Sequence, residues 1–162
     1  REEVLLEKVS NNNISTNIKK DIIVSGIDEM KVTLANCCKP VKGDEIIGYI
    51  TRGNGIVVHR NNCHNITNID DRIISVEWND NSINKYITSL IVKTEKTNNF
   101  LANMISKASS LNINIQTINV INNLDYQTYD LLILVENVDK LNDFINAVSQ
   151  LKEVINVERL IK

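Results

Sequence analysis

No stretch of this chain is long and apolar enough to span a membrane. The longest uncharged apolar run is Leu131–Val135, far short of the ~20 residues a spanning helix needs. No secretory leader is read at the start either: Arg1-Glu2-Glu3-Val4-Leu5-Leu6 is charged and has no apolar h-region. A chain that opens on Arg rather than Met is expected to be a processed piece or a fragment of a longer parent. Cysteine occurs only three times, twice at adjacent positions. An odd count and adjacency argue against a disulfide framework and for reduced thiols in a reducing, cytoplasmic compartment. A net charge of -2 gives no global case for nucleic-acid binding. What remains, at 43% hydrophobic and 23% charged over 162 residues, is an ordinary globular composition sufficient for one domain or two small ones.

Against that background one region stands apart. Residues 37–63 hold every cysteine (Cys37, Cys38, Cys63), one of the two histidines (His59) and the single proline, Pro40. Four of the five glycines, Gly43, Gly48, Gly53 and Gly55, fall in the same region. Such density predicts tight turns and backbone positions that need positive φ. The charge is local too. Lys31, Lys39, Lys42, Arg52 and Arg60 face only Asp44 and Glu45 over residues 31–64, a basic island that can contact phosphate or be simply a solvated surface.

The periodicity divides the chain in two. Residues 1–18 carry a weak helical pattern and read as the tail of a preceding helical segment. Residues 19–79 read as a small Gly/Cys-rich α+β domain. Its strands are expected at Ile22–Val24, around Met30–Leu34, at Ile46–Ile50, at Ile56–Val58 and over Ile73–Trp78. A polar break at Asn79-Asp80-Asn81-Ser82 marks the boundary. Residues 84–162 contain no Gly, Pro or Cys. They alternate strand, helix, strand, strand, helix, strand. The first helical stripe lies in residues 98–110, with Asn98 or Asn99 able to cap its start, and the second carries Leu141, Phe144, Ile145, Val148 and Leu151, with Asp139 able to cap it. Residues 113–120 read as a strand with one irregularity. The β-α-β-β-α-β order is the ferredoxin-like plan, four antiparallel strands with two helices on one face.

His59 and Cys63 lie four residues apart and face one point if a short turn starts near Arg60. Cys37 and Cys38 follow a strand, in which neighbours point to opposite faces. They join His59 and Cys63 only if the backbone turns between them. Given that turn, Cys37, Cys38, His59 and Cys63 make a closed tetrahedral Cys3His zinc site. The competing readings are that one or both adjacent cysteines are small core residues, or that Cys38 and His59 form a nucleophile and base with Lys39 lowering the thiol pKa. No oxyanion hole or orienting partner is marked, and Thr51-Arg52-Gly53-Asn54-Gly55 lacks the Walker spacing. His64 is a weaker ligand candidate.

Ala35-Asn36-Cys37-Cys38-Lys39-Pro40-Val41-Lys42-Gly43-Asp44-Glu45-Ile46-Ile47-Gly48-Tyr49-Ile50-Thr51, followed by Gly55-Ile56-Val57-Val58-His59-Arg60-Asn61-Asn62-Cys63, resembles the zinc-finger or ribosome-intersubunit domain of the long Rel/SpoT stringent-response proteins. In that family an ACT domain of ferredoxin-like plan follows, in agreement with residues 84–162. The resemblance implies a parent that transfers pyrophosphate from ATP to GDP or GTP, or hydrolyses the (p)ppGpp product, with both active sites outside this chain. This fragment is then regulatory and non-catalytic. It docks on the ribosome with uncharged tRNA and relays that state to the catalytic half of its parent chain. The family's metal ligands map onto Cys37, Cys38, His59 and Cys63. Lys39, Lys42, Arg52, Arg60, His64 and Asn65 become the candidate RNA contacts.

ACT domains commonly carry an Asp-Arg-x-Gly-type segment between first strand and first helix, where a glycine lets a ligand amino acid approach the backbone. Here the stretch is Lys96-Thr97-Asn98-Asn99-Phe100-Leu101. Without that glycine, binding at Thr97, Asn98 and Asn99 is disfavoured, though Asn99 can adopt the left-handed region. An ACT homodimer is expected. The alternative is an amino-acid-sensing ACT dimer whose cysteine domain is purely structural.

Overall fold

The computed structural model describes residues 21–24, 31–53, 55–66, 72–81 and 83–161. The helical tail expected over residues 1–18, Met30 and the glycine at 26 lie outside them. The chain divides into two units. One holds the described residues of Arg1–Asn36 and Glu45–Asn84; the other holds those of Cys37–Asp44 and Lys85–Lys162.

The first unit is built from six short strands: β1 (Ile22–Val24), β2 (Lys31–Leu34), β3 (Ile46–Ile50), β4 (Gly55–Arg60), β5 (Ile73–Ile74) and β6 (Val76–Trp78). Their Ile and Val residues suit an extended, half-buried backbone. A hairpin joins β3 to β4, with Ile46 opposite Arg60 and Ile50 opposite Ile56. Thr51 closes its turn: the amide of Gly55 donates to Thr51 Oγ1 at 3.2 Å, and the amide of Thr51 donates to the Gly55 carbonyl at 2.8 Å. β2 lies parallel to β4, giving the order β2-β4-β3-β5. β1 pairs antiparallel with β6 in a separate ribbon. The single strand expected over Ile73–Trp78 is in fact two. β5 pairs with β3 and β6 with β1, the chain changing partner at Ser75. Alternation along a sequence does not register such a change. Ile22, Val32, Ile56, Val58 and Val76 form the buried core, with Trp78 and Ile74 packed against it.

The second unit follows the expected ferredoxin-like plan: β7 (Tyr86–Glu95), α1 (Phe100–Ser110), β8 (Asn114–Asn122), β9 (Tyr126–Val135), α2 (Val138–Ser149) and β10 (Val154–Arg159). The antiparallel order is β10-β7-β9-β8. The alternating face of β7 and β9 (Leu90, Val92, Leu131, Ile133, Val135) is buried together with the helical stripes Phe100–Met104–Ala108 and Leu141–Phe144–Val148. Each Val, Leu, Ile, Phe or Met side chain so buried contributes roughly 1.5–3 kcal/mol. The irregularity expected in the strand after α1 is a register shift between Ile115 and Thr117. The cap of the second helix differs from expectation. Asn137, not Asp139, caps α2, its side chain accepting the Lys140 amide at 2.9 Å. Asp139 sits in the first turn, where negative charge favours the helix N-terminus. Asn99 occupies the N-cap position of α1 but makes no side-chain cap bond. It is right-handed (φ -105, ψ -6) rather than left-handed.

Candidate metal centre

The parallel register of β2 and β4 sets Leu34 opposite Val58, so both strands leave the sheet in the same direction. Beyond Leu34 the chain turns at Asn36-Cys37-Cys38, and Lys39 adopts a left-handed φ of 45°. Strand alternation therefore stops before the two cysteines. Beyond Val58, His59 is still on β4. The Arg60–Cys63 turn is closed by the Cys63 amide donating to the Arg60 carbonyl at 3.0 Å, and Asn61 donates to the Glu45 carbonyl at 2.8 Å.

The result is a convergence. One donor atom each from Cys37, Cys38, His59 and Cys63 lies within 4.8 Å of all the others. A tetrahedral zinc site with Zn–S near 2.3 Å has ligand–ligand edges of about 3.8 Å, so small side-chain rotations close the set. These four residues can hold a metal ion. Cys38 and Cys63 are buried, and Cys37 and His59 half-buried. All three thiols are free of disulfides. Burial lowers the His59 pKa below its ordinary 6.5, which favours the neutral imidazole that metals bind.

The other site candidates are not members of this donor set. His64 is exposed and stands outside the four-residue cluster, as does exposed Asn65. Arg52 is exposed in the β3–β4 turn, at the opposite end of the hairpin from Arg60. Lys39, Lys42 and Arg60 are half-buried. Asn98 and Asn99 are exposed and Thr97 half-buried, with the Asn99 amide donating to Thr97 Oγ1 at 3.4 Å. A groove elsewhere in the second unit runs between α1 and β8, lined by Ile105, Ala108, Ile113 and Ile115 with Lys85 and Glu136. Thr97, Asn98 and Asn99 do not line it.

Sequence reasoning gave no role to two residues that bond to the segment following the cysteine pair. Asp44 stabilises its own turn, accepting the Val41 amide on Oδ2 at 2.8 Å. It also accepts Nη1 of Arg159 on Oδ1 at 2.8 Å and Nη2 on Oδ2 at 2.9 Å, a bidentate pair. Arg159 gives no local signal, since its partner is 115 residues away.

Residues 22–79 match the RelA/SpoT RIS domain and residues 82–159 match an ACT domain. A GTP pyrophosphokinase of Photobacterium angustum is 27% identical over 98% of the chain, which covers 23% of that protein. The bifunctional (p)ppGpp synthase/hydrolase SpoT of Escherichia coli is 28% identical over 84% of the chain and 20% of its own length. A GTP pyrophosphokinase of Streptomyces coelicolor is 33% identical over 61% of the chain and 12% of its own length. The chain thus spans roughly an eighth to a quarter of the curated relatives it matches. Among solved structures, the ACT domain from a Chlorobium tepidum GTP pyrophosphokinase is similar at 26% identity, with a TM-score of 0.43, over 47% of this chain and 99% of that one.

Proposed function

We propose, for a chain that belongs with the Rel/SpoT-type proteins and joins a RIS domain to an ACT domain, a regulatory and non-catalytic role: docking on the ribosome in the presence of uncharged tRNA and passing that state to the catalytic part of its parent. The catalytic activities named for the relatives, GTP pyrophosphokinase and (p)ppGpp synthase/hydrolase, belong to sequence outside this stretch. The observation that carries the reading is the four-residue donor set. Three thiolates and one imidazole fill a tetrahedral metal completely, the pattern of a structural zinc with no position open for substrate. Zinc held by Cys37, Cys38, His59 and Cys63 cross-links the segments that carry them.

Around it, Lys39, Lys42, Arg52, Arg60, His64 and Asn65 supply cations and hydrogen-bonding groups suited to RNA phosphates. Exposed Arg52 tests this with the least structural disturbance. Ribosome association of the parent carrying either Arg52→Ala or Lys42→Ala should weaken, and its salt slope should fall by about 1 for the lost phosphate contact. Unchanged affinity and slope in both variants remove these residues from the interface. The ACT domain is proposed to pair with a second copy. The alternative, an amino-acid sensor, has weaker support: Asn98 and Asn99 stand where a glycine would admit a ligand. Heat released on titrating branched-chain amino acids into the protein is the result that would favour it.

A further inference from the structure

Gly43 and Asp44 share a short segment with Cys37 and Cys38, yet neither is a ligand or a candidate phosphate contact. Both belong to the segment Cys37–Asp44, which groups with the ACT elements rather than with the strands that flank it in sequence. Three interactions hold it there. The carbonyl of Lys42 accepts the amide of Val138, the first residue of α2, at 2.7 Å. That amide is one of the donors a helix N-terminus leaves unsatisfied, and Asn137 uses its side chain on Lys140 instead. Gly43 passes so close that an added Cβ would stand 2.6 Å from Val138 Cγ1, and its φ of +100° is one that side chains resist. Finally, Arg159 reaches from β10 to clasp Asp44 through both carboxylate oxygens, donates to the Lys39 carbonyl at 3.2 Å and lies 3.4 Å from Thr88 Oγ1. The ion pair is nearly dry, with side-chain exposures of 12% and 9%. The Lys39 carbonyl belongs to the residue directly after Cys38.

We infer that Arg159 is a positioning residue of the metal centre: it fixes the turn that carries Cys37 and Cys38, and the ACT domain thereby sets the metal affinity of the cysteine site. The inference rests on the metal reading above. The hydrogen bonds of Arg159 go to Asp44, the Lys39 carbonyl and Thr88 Oγ1. Arg159 acts through Asp44, which closes the Val41–Asp44 turn in both directions, and through the Lys39 carbonyl, which pins the left-handed residue after the cysteine pair. Lysine cannot reproduce this, since one ammonium does not span two carboxylate oxygens and a carbonyl in a fixed plane. Outer-shell partners of metal ligands typically control affinity by 10- to 100-fold.

Cobalt(II) titration of the reduced full chain tests it, with affinity read by chelator competition and ligation read from the thiolate-to-metal charge-transfer band. Wild type should bind one cobalt with the intensity of three thiolates. Arg159→Ala and Asp44→Asn should each bind about 10- to 100-fold more weakly, with a reduced thiolate band, and Arg159→Lys should recover only part of the loss. Lys93→Ala, which removes a cation from the Tyr126 ring elsewhere in the same unit, should match wild type. Asp44→Asn keeps the side-chain shape and serves if Arg159→Ala does not fold. Wild-type affinity and spectrum in both Arg159→Ala and Asp44→Asn overturn the positioning role alone. Failure of wild type to bind cobalt overturns the metal reading and this inference with it.

Discussion

A methyl group added at Gly48 would stand 2.7 Å from Cγ2 of Ile74. Val76 Cγ1 at 2.9 Å and Ile56 Cγ2 at 3.1 Å close the same space from other strands. Gly48 thus lets β3 pass beneath the core where β4 and β5 flank it. Gly48→Ala overfills this core and should destabilise the first unit by about 1–3 kcal/mol. Denaturant unfolding followed by Trp78, the only tryptophan, reads the change; a midpoint equal to wild type counts against tight packing here.

Metal loading should be visible as stability. If the cluster of Cys37, Cys38, His59 and Cys63 binds zinc, free zinc at a hundred times its dissociation constant adds about 2.7 kcal/mol. Thermal melting of the reduced protein should therefore rise with zinc and fall again with excess chelator. Cys63→Ser and His59→Ala should abolish most of the zinc-dependent rise. A melting temperature indifferent to zinc in the wild type speaks against the site.

Tyr129 gives a pH dependence of definite sign. Its phenol is buried in the ACT core, packed 5.0 Å from the Phe100 ring centroid, and desolvation raises its pKa above the ordinary 10.0. The folded value exceeds the unfolded one, so the stabilisation is complete below pH 10 and is lost as pH rises through the folded pKa. Stability should fall on the alkaline side of pH 10, and Tyr129→Phe should flatten that limb. An alkaline limb unchanged in Tyr129→Phe would assign the loss to other groups.

Asp21 is only 1% exposed and accepts the side-chain amide of Asn84 at 2.8 Å, across 63 residues of sequence. Its carbonyl also accepts the Asn79 amide at 2.7 Å. Asp21→Ala leaves the Asn84 amide short of an acceptor and should cost about 1–3 kcal/mol. A double-mutant cycle with Asn84→Ala isolates the pair. Additive losses would show that the bond contributes nothing of its own.

Much of this architecture is legible in sequence because periodicity is local. The stripe Leu141, Phe144, Val148 and the alternation of β7 and β9 each announce one face, and the irregularity near Ile115 shows as a break in alternation. The donor set is legible as residue types, but its assembly is not: it depends on the turn at Cys37-Cys38 and the left-handed Lys39, a conformation that lysine does not advertise. The change of partner at Ser75 is decided by strands distant in sequence, while Asn137 and Asp139 are both capping residue types, and only the backbone geometry selects Asn137. The Asp44–Arg159 pair is the extreme case, because nothing around Arg159 distinguishes it from any cation on an exposed strand.

That separation also sets a schedule. Arg159 is made 115 residues after Asp44, an interval of about 6–23 s at translation rates of roughly 5–20 residues per second. Cys63 emerges well before then, so the thiols and imidazole are all present on a nascent chain that still lacks the guanidinium holding their turn. On the positioning role inferred for Arg159, the turn that carries Cys37 and Cys38 is unclamped during that window, and completion of β10 ends it.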